Sequence, residues 1–130
     1  MLISIGVRTN SRIEMVDVTP MVQRELANAG TSDGICTVYV PHTTAGITIN
    51  EGADPAVCKD IIAKLNELVP ARAGYLHSEG NADSHIKASI MGSSVTVPLE
   101  QGRLVLGTWQ KIFFCEFDGP RSRKAYVRIS

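Results

Sequence analysis

The stretch ICTVYVPHTTAGITINE, residues 35–51, decides the fold because it holds two strand patterns around a short polar turn. β-Branched and aromatic side chains dominate residues 35–40 and recur at residues 47–49, as is typical of strands that pack on a pleated surface. Pro41 ends the first strand, and His42 follows it directly. The pattern therefore predicts a sheet with a histidine in a polar turn between two strands.

Toward the amino terminus, the chain shows a second strand pattern and a helix start. Residues 2–8 and 12–18 both alternate apolar and polar side chains with a period of two, and a polar turn signal separates them. This arrangement predicts a β-hairpin. Thr19 followed by Pro20 is a helix-start signal, and it predicts a helix over residues 20–29.

The clearest helix pattern comes after the second strand. Asp54 and Pro55 form a capping residue and a first-turn proline, and Pro70 marks the end of the segment. One apolar residue per turn should form the buried stripe of this helix. The residues of the stripe are Val57, Ile61, Leu65 and Leu68.

The next segment is predicted to be a loop followed by a short helix. Residues 71–81 contain glycine and lack any periodicity, which is typical of an exposed loop that carries functional side chains. Asp83 is placed to cap a helix that ends at Gly92, with Ile86 and Ile90 facing inward.

The last third of the chain is rich in strand patterns. They cover residues 95–99, 103–106, 109–117 and 124–129. Strands at both ends of the chain, with two to three helices between them, favour an α+β fold. We expect residues 1–130 to form one domain, built on a largely antiparallel sheet or sandwich.

The composition is that of an ordinary globular protein, with 130 residues of which 44% are hydrophobic and 20% are charged. Thirteen basic residues balance thirteen acidic ones, so no large field of one sign is available to hold a polyanion, and we expect no nucleic acid as partner. No apolar run approaches the ~18 residues of a membrane span, and the first residues resemble a strand more than a signal peptide. The basic residues near the carboxyl terminus suit one or two phosphate groups. They are Arg121, Arg123, Lys124 and Arg128.

The cysteines indicate a reducing compartment. Cys36, Cys58 and Cys115 are odd in number, widely spaced and mostly set among apolar residues. This pattern favours reduced thiols in a cytoplasmic protein over a disulfide framework.

All three histidines lie between residues 42 and 85, and each has polar neighbours. Imidazole is a good ligand for zinc and similar ions, and three histidines with one open position form a common catalytic metal site. His42, His77 and His85 could therefore hold one divalent ion, zinc or magnesium. The spacing alone leaves open that they are separate surface or hydrogen-bonding histidines.

Other polar residues stand at the ends of segments, where side chains can point into a cleft. Glu51 and Glu79 are candidate catalytic carboxylates, although both could simply be solvated. Asp118 opens a turn, and Arg121 just beyond it could clamp a phosphate or remain solvated. The single tryptophan, Trp109, is expected to pack in the core.

Three long blocks of sequence carry a resemblance to a known family. They are PHTTAGITINEGADP, HSEGNADSHIKASIMGSSVTVP and GRLVLGTWQKIFFCEFDGPR, in that order. With them, the chain resembles the YjbQ family, often called the secondary thiamine-phosphate synthase family, over nearly its whole length. The resemblance implies a compact α+β fold, a homotrimer and a polar cleft whose histidine cluster holds a metal or an anion.

The resemblance also assigns expected roles to residues that match the family motifs. Ala45-Gly46 departs mildly from the usual residues after the HTT element. The expected metal ligands are His42, His77 and His85, and the expected catalytic residues are Asn50, Glu51 and Glu79. The residues expected to bind substrate or anion are Thr43, Thr44, Asn81, Lys87, Gln110, Asp118 and Arg121.

The function that the resemblance implies is a metal-assisted enzyme acting on small phosphorylated compounds, with weak thiamine-phosphate synthase activity. That reaction joins a pyrimidine diphosphate to a thiazole phosphate and releases pyrophosphate, so it depends on neutralising the charge of the leaving group. Two alternatives stay open. One is a non-catalytic trimer that binds metal or anions, and the other is a metal-dependent hydrolase in which Glu51 or Glu79 activates water.

Overall fold

Two antiparallel sheets packed against each other form the framework of the protein. The computed structural model describes residues 2–130. One sheet has five strands in the order β1-β8-β3-β5-β6, and the other has three in the order β2-β7-β4. In chain order the elements are β1 (Leu2–Arg8), β2 (Glu14–Asp17), α1 (Thr19–Ala29), β3 (Gly34–Tyr39), β4 (Ala45–Glu51), α2 (Pro55–Leu68), α3 (Ala82–Met91), β5 (Ser94–Glu100), β6 (Arg103–Leu104), β7 (Gln110–Glu116) and β8 (Ser122–Ile129). This α+β sandwich confirms the predicted fold class.

The main hydrophobic core lies between the two sheets and under α1. Inward residues of β3 and β8, among them Val38 and Val127, meet Phe114 of β7 and Leu26 of α1. Every second residue of these strands points inward, as the pleat requires. The inner face of each sheet is therefore buried in this core, and the two outer faces differ in what covers them.

The predicted amino-terminal hairpin is wrong. β1 pairs with β8, and β2 pairs with β7 in the other sheet. The turn residue Thr9 explains the separation, because its backbone N–H donates to the Arg121 carbonyl oxygen and its buried hydroxyl donates to Glu116. Alternation identified both strands correctly, but each found a long-range partner in place of its neighbour.

Helices α1 and α2 form where the sequence predicts them, but they pack differently. Helix α1 buries Val22 and Leu26 in the core. Helix α2 begins with Asp54, whose carboxylate accepts a hydrogen bond from the Ala56 N–H, and it contains no fully buried residue. Its predicted stripe is half-buried at best, and Leu68 is 66% exposed. The apolar side of α2 is only partly covered by the chain itself.

Helix α3 contradicts the predicted orientation of its side chains. Ile86 and Ile90 are exposed, whereas the polar residues Asp83 and Lys87 are fully buried. Asp83 does not cap the helix, because it lies in the first turn and forms ion pairs. The helix thus presents its charged side to the protein interior and its isoleucines to solvent.

The outer face of the three-stranded sheet carries α3 and a small second core. Phe113, Cys115 and Phe117 pack there against Ala88 of α3. Trp109, predicted to lie in the core, is instead 62% exposed. Among residues 2–130, no helix is long and apolar enough to cross a membrane.

Candidate functional site

His42 stands in the connection between β3 and β4, beside the start of β8. Its Nε2 accepts a hydrogen bond from the backbone N–H of Lys124 at 3.1 Å, and its ring meets the edge of Phe114 at 6.4 Å between centroids. A nitrogen that accepts a hydrogen bond carries a lone pair, so the proton of the neutral ring lies on Nδ1. His42 therefore offers an N–H donor to a ligand, not a free lone pair.

The surroundings of His42 keep its ring neutral. Burial lowers the pKa of His42 below its ordinary value, and the positive charge of Arg123 lowers the pKa further. The Lys124 N–H donates to the unprotonated Nε2 of the neutral ring. At neutral pH this imidazole is an uncharged hydrogen-bond donor.

A polar cavity of about 410 Å³ lies between His42 and α3. His85 forms its opposite wall, and the hydroxyl-bearing residues Thr43, Ser89 and Ser93 line it as well. The hydroxyl of Ser89 donates to the His85 carbonyl oxygen at 2.9 Å, so its oxygen keeps acceptor capacity toward the cavity. The cavity can surround a small polar molecule with several hydrogen-bonding groups.

His85 also forms part of a second, mostly apolar cavity. The rings of His77 and His85 meet edge to face with 5.3 Å between their centroids. Tyr75 and Leu76 line this cavity of about 370 Å³ with both histidines. His85 is thus the residue that connects the polar cavity with the neighbouring histidine.

The three imidazoles are only partly suited to one metal ion within a single chain. His77 and His85 are close enough to approach a common ion, and Glu79 lies 3.7 Å from His77 Nε2. His42 does not contribute a free nitrogen, since Lys124 occupies its Nε2. In the described part of the chain, no three His, Cys, Asp or Glu side chains form a group that could hold a metal. A site on all three histidines stays a prediction.

A buried ion pair supports the His42 side of the cavity. Both oxygens of Glu116 accept hydrogen bonds from Arg123, and the same guanidinium donates to Thr44 Oγ1 at 2.8 Å. Thr9 donates to Glu116 at 2.7 Å. Burial alone would raise the pKa of Glu116, but these bonds hold it below its ordinary value. Thr44 is therefore a structural residue, fixed by Arg123 and turned away from solvent.

A second buried network fixes α3. Asp83 accepts from Arg12 and from Lys87, each at 3.0 Å. Burial favours a higher pKa for Asp83, but the two cations outweigh it and lower the pKa. Lys87 was expected to bind an anion, and the structure gives it another role, because its side chain is 1% exposed and paired with Asp83.

Comparisons with known proteins identify the family of the chain. A sequence profile described as UPF0047 protein YjbQ-like matches residues 3–130. The chain belongs to this YjbQ-like family. It is 52% identical to a UPF0047 protein of Methanocaldococcus jannaschii, across 99% of this chain and 94% of that protein. UPF0047 protein YugU of Bacillus subtilis is 48% identical, with 99% and 98% covered.

Solved structures of YjbQ-like proteins share the fold. A YjbQ/UPF0047 family protein of Clostridium acetobutylicum superposes with a TM-score of 0.96 at 49% identity, covering 98% of this chain and 99% of the other. A conserved hypothetical protein of Thermus thermophilus superposes with a TM-score of 0.92 at 40% identity, with 98% and 99% covered. The YjbQ-like fold of this chain is thus shown by sequence and structure together.

The YjbQ-like motif residues are not all brought together in one chain. Asn50 and Glu51 stand at the far end of β4, roughly 20 Å from the end that carries His42, given the rise of a strand. Gln110 pairs with Glu51 across the sheet, and its side chain accepts from the Gly107 N–H at 2.8 Å. Glu51 lines a different cavity, next to Cys58 of α2. These residues form a separate region of the YjbQ-like domain.

Asn81, Asp118 and Arg121 form a tie between α3 and the β7–β8 turn. Asn81 Nδ2 donates to Asp118 at 2.9 Å, and Arg121 pairs with the same carboxylate at 3.1 Å. Arg121 lines a cavity with Arg8, not the one with His42. The expected phosphate clamp is therefore held by Asp118 and faces another part of the YjbQ-like surface.

Sequence reasoning missed the residues that support the YjbQ-like site from inside. Glu116 lies within a predicted strand and Arg123 directly before one. Arg123 was expected to suit a phosphate group, but it is buried and bonded to Glu116 and to Thr44, which was assigned to substrate. The signal that could have revealed Arg123 is its place in the alternation of the last strand. Arg123 occupies the inward phase of β8 with Ala125 and Val127, which predicts a buried and therefore paired guanidinium.

Proposed function

We propose that the polar cavity between His42 and His85 binds a small phosphorylated molecule and that the protein is a metal-assisted enzyme acting on it. The observation that carries the proposal is the neutral, N–H-bearing imidazole of His42 opposite His85 in a cavity lined by hydroxyls. Such donors match the oxygens of a phosphoryl group. The family resemblance adds thiamine-phosphate synthesis as the named reaction.

The chain's own residues would bind and orient the phosphoryl group. His42 would donate from Nδ1, and Thr43 and Ser93 would add hydroxyl donors from the rim of the same cavity. Burial and, after it, the positive charge of Arg123 lower the pKa of His42, and the bond from Arg123 to Thr44 fixes the turn that carries His42. This part of the site selects and positions the anion without supplying a full positive charge.

His77 and His85 would hold a divalent ion next to the cavity. The ion would supply the positive charge that a leaving diphosphate requires. Lys87 and Arg121 would not supply this charge, because both are already paired with carboxylates of the chain.

A second candidate is a metal-dependent hydrolase acting on a phosphate ester. The observation in its favour is Glu79, whose carboxylate lies 3.7 Å from His77 Nε2 and is exposed. A carboxylate at this position can take a proton from water. The products separate the candidates, since a synthase joins two substrates and a hydrolase releases inorganic phosphate from one.

The site also lies beside an apolar surface, which supports assembly with further copies of the chain. Leu76 is completely exposed, and Ile90 is 58% exposed on the outward side of α3. Exposed apolar patches of this kind mark interfaces. We propose a homotrimer in which this surface is covered by a neighbouring copy, so that the histidines lie near a subunit boundary.

Calorimetric titration tests the proposed site. Pyrophosphate should bind the zinc-loaded protein, and His85→Ala should weaken pyrophosphate binding at least tenfold, about 1.4 kcal/mol or more, because it removes both a cavity wall and an ion ligand. Arg24→Ala on the exposed side of α1 is the control and should bind normally. Equal affinities for wild type and His85→Ala would reject the site.

A further inference from the structure

The outer face of the five-stranded sheet is open to solvent in the chain. Helix α1 packs on the inner side, where Val22 and Leu26 join the core between the sheets. In the described range, 2–130, the outward residues Ile35 and Tyr39 are 48% and 47% exposed. The face is therefore a broad, nearly flat surface formed by strand residues alone.

Positive charge is concentrated on this face, although the whole chain is neutral. Arg8, Lys124 and Arg128 point outward from the neighbouring strands β1 and β8. The acidic residue that shares the face, Glu100, stands at its edge opposite Arg103 of β6. Among the described strand residues, none of the register partners of these three cations is a carboxylate. The net charge of the whole chain predicts no polyanion as partner, but this face is locally positive.

Two tyrosines lie next to each other in the middle of the face. Tyr39 of β3 is the register partner of Tyr126 of β8, so their side chains emerge about 5 Å apart at Cβ. Lys124 Nζ lies 5.5 Å from the centre of the Tyr126 ring. The sheet therefore offers aromatic surfaces with a cation beside them.

The residues around the tyrosines are small and polar. Ser4 is opposite Tyr126 on β1, and Ser94 is opposite Tyr39 on β5. Thr37 lies between Arg128 and Thr96 in the next row. Small hydroxyl side chains leave the tyrosine rings accessible and can donate hydrogen bonds to sugar or phosphate oxygens.

We propose that this face binds single-stranded nucleic acid, with bases stacking on Tyr39 and Tyr126 and phosphates contacting Arg8, Lys124 and Arg128. Lys124 and Arg128 are four residues apart on β8, roughly 13 Å, so they can contact separate phosphates of one strand. Bases in a duplex are already stacked on each other, whereas the bases of a single strand are free to stack on aromatic side chains. Within residues 2–130, no helix lies on this face that could enter a groove. This binding is independent of the function proposed for the histidines.

Fluorescence anisotropy with a labelled single strand of about 12 nucleotides tests the proposal, at about 50 mM salt where charge contacts are strong. Wild type should bind in the micromolar range, with an affinity that falls as salt rises. Tyr39→Ala should weaken binding about tenfold, as loss of a stacking platform does. Lys124→Ala/Arg128→Ala should reduce the slope of log affinity against log salt by about 1.4.

Matched controls make the outcome decisive. Arg24→Ala/Lys64→Ala removes two exposed cations from the helices and should leave affinity and slope unchanged. His85→Ala should also leave strand binding unchanged, which separates this face from the histidine site. All substituted positions on the face are at least partly exposed, and a thermal melt checks that each variant folds. Absence of binding, equal binding of duplex, or normal binding by both face variants would overturn the proposal.

Discussion

At the scale of residues, buried charges organise this protein more than its exposed polar groups do. Glu116 is completely buried and Arg123 nearly so, and Arg123 holds both Glu116 and Thr44 by hydrogen bonds. Burial lowers the pKa of His42, and the positive charge of Arg123 lowers it further. Taking such charges out of water is costly unless each is fully paired. The pair thus fixes the turn that follows His42, and Arg123 adds to the effect of burial on the His42 pKa.

Removing Arg123 should destabilise the fold, because Glu116 then stays buried without a partner cation. Arg123→Met should lower the free energy of unfolding at pH 7 by about 3–5 kcal/mol, because Glu116 is left as an uncompensated buried charge. The exposed substitution Arg24→Met should change it by less than about 0.5 kcal/mol. Urea denaturation measures both.

The contribution of these buried carboxylates to the free energy of unfolding should depend on pH. In wild type, the folded pKa values of Glu116 and Asp83 are below their ordinary values. Their contribution is therefore fully present above the unfolded pKa values, about 4, and is lost as pH falls through the folded ones. In Arg123→Met, burial without a partner cation raises the folded pKa of Glu116, so Glu116 becomes neutral and the difference from wild type should shrink as pH falls from 7 to 3. A constant difference from pH 7 to pH 3 would contradict the role of the pair.

At the scale of elements, local patterns predicted strands and helices well and their partners poorly. Both alternating segments at the amino terminus are strands, but buried bonds of Thr9 send them to different sheets. Helix α3 was also found, although its inward side could not be predicted from hydrophobicity. Its buried Asp83 and Lys87 are tolerated because Arg12, 71 residues away in sequence, completes the network.

The outward isoleucines of α3 should matter for assembly and little for folding. Ile86→Glu/Ile90→Glu should reduce the mass in sedimentation from three chains to one chain of 14.0 kDa, since it places charge in the proposed interface. Ile35→Glu, on the outer face of the other sheet, is the matched control and should leave the trimer intact. A wild-type mass of one or two chains, or disruption by Ile35→Glu alone, would contradict this interface.

At the scale of the whole molecule, the polar residues that the sequence suggests for one site lie on several separate surfaces of the domain. The family motifs identified the histidine region, and His42 and His85 do face one cavity. The same motifs could not show that Asn50 and Glu51 lie at the other end of β4, or that Arg121 faces Arg8. Those placements depend on strand direction and register, which only long-range pairing determines.

A crystal structure of the protein with zinc and pyrophosphate tests the central claim most directly. We expect the ion on His77 and His85, and a phosphoryl oxygen within about 2.7–3.2 Å of His42 Nδ1, the range of an N–H to oxygen hydrogen bond. The Lys124 N–H should still donate to Nε2 of the same ring, as it does in the free chain. Pyrophosphate bound elsewhere, for example between Arg8 and Arg121, with the cavity between His42 and His85 holding only water, would contradict the account.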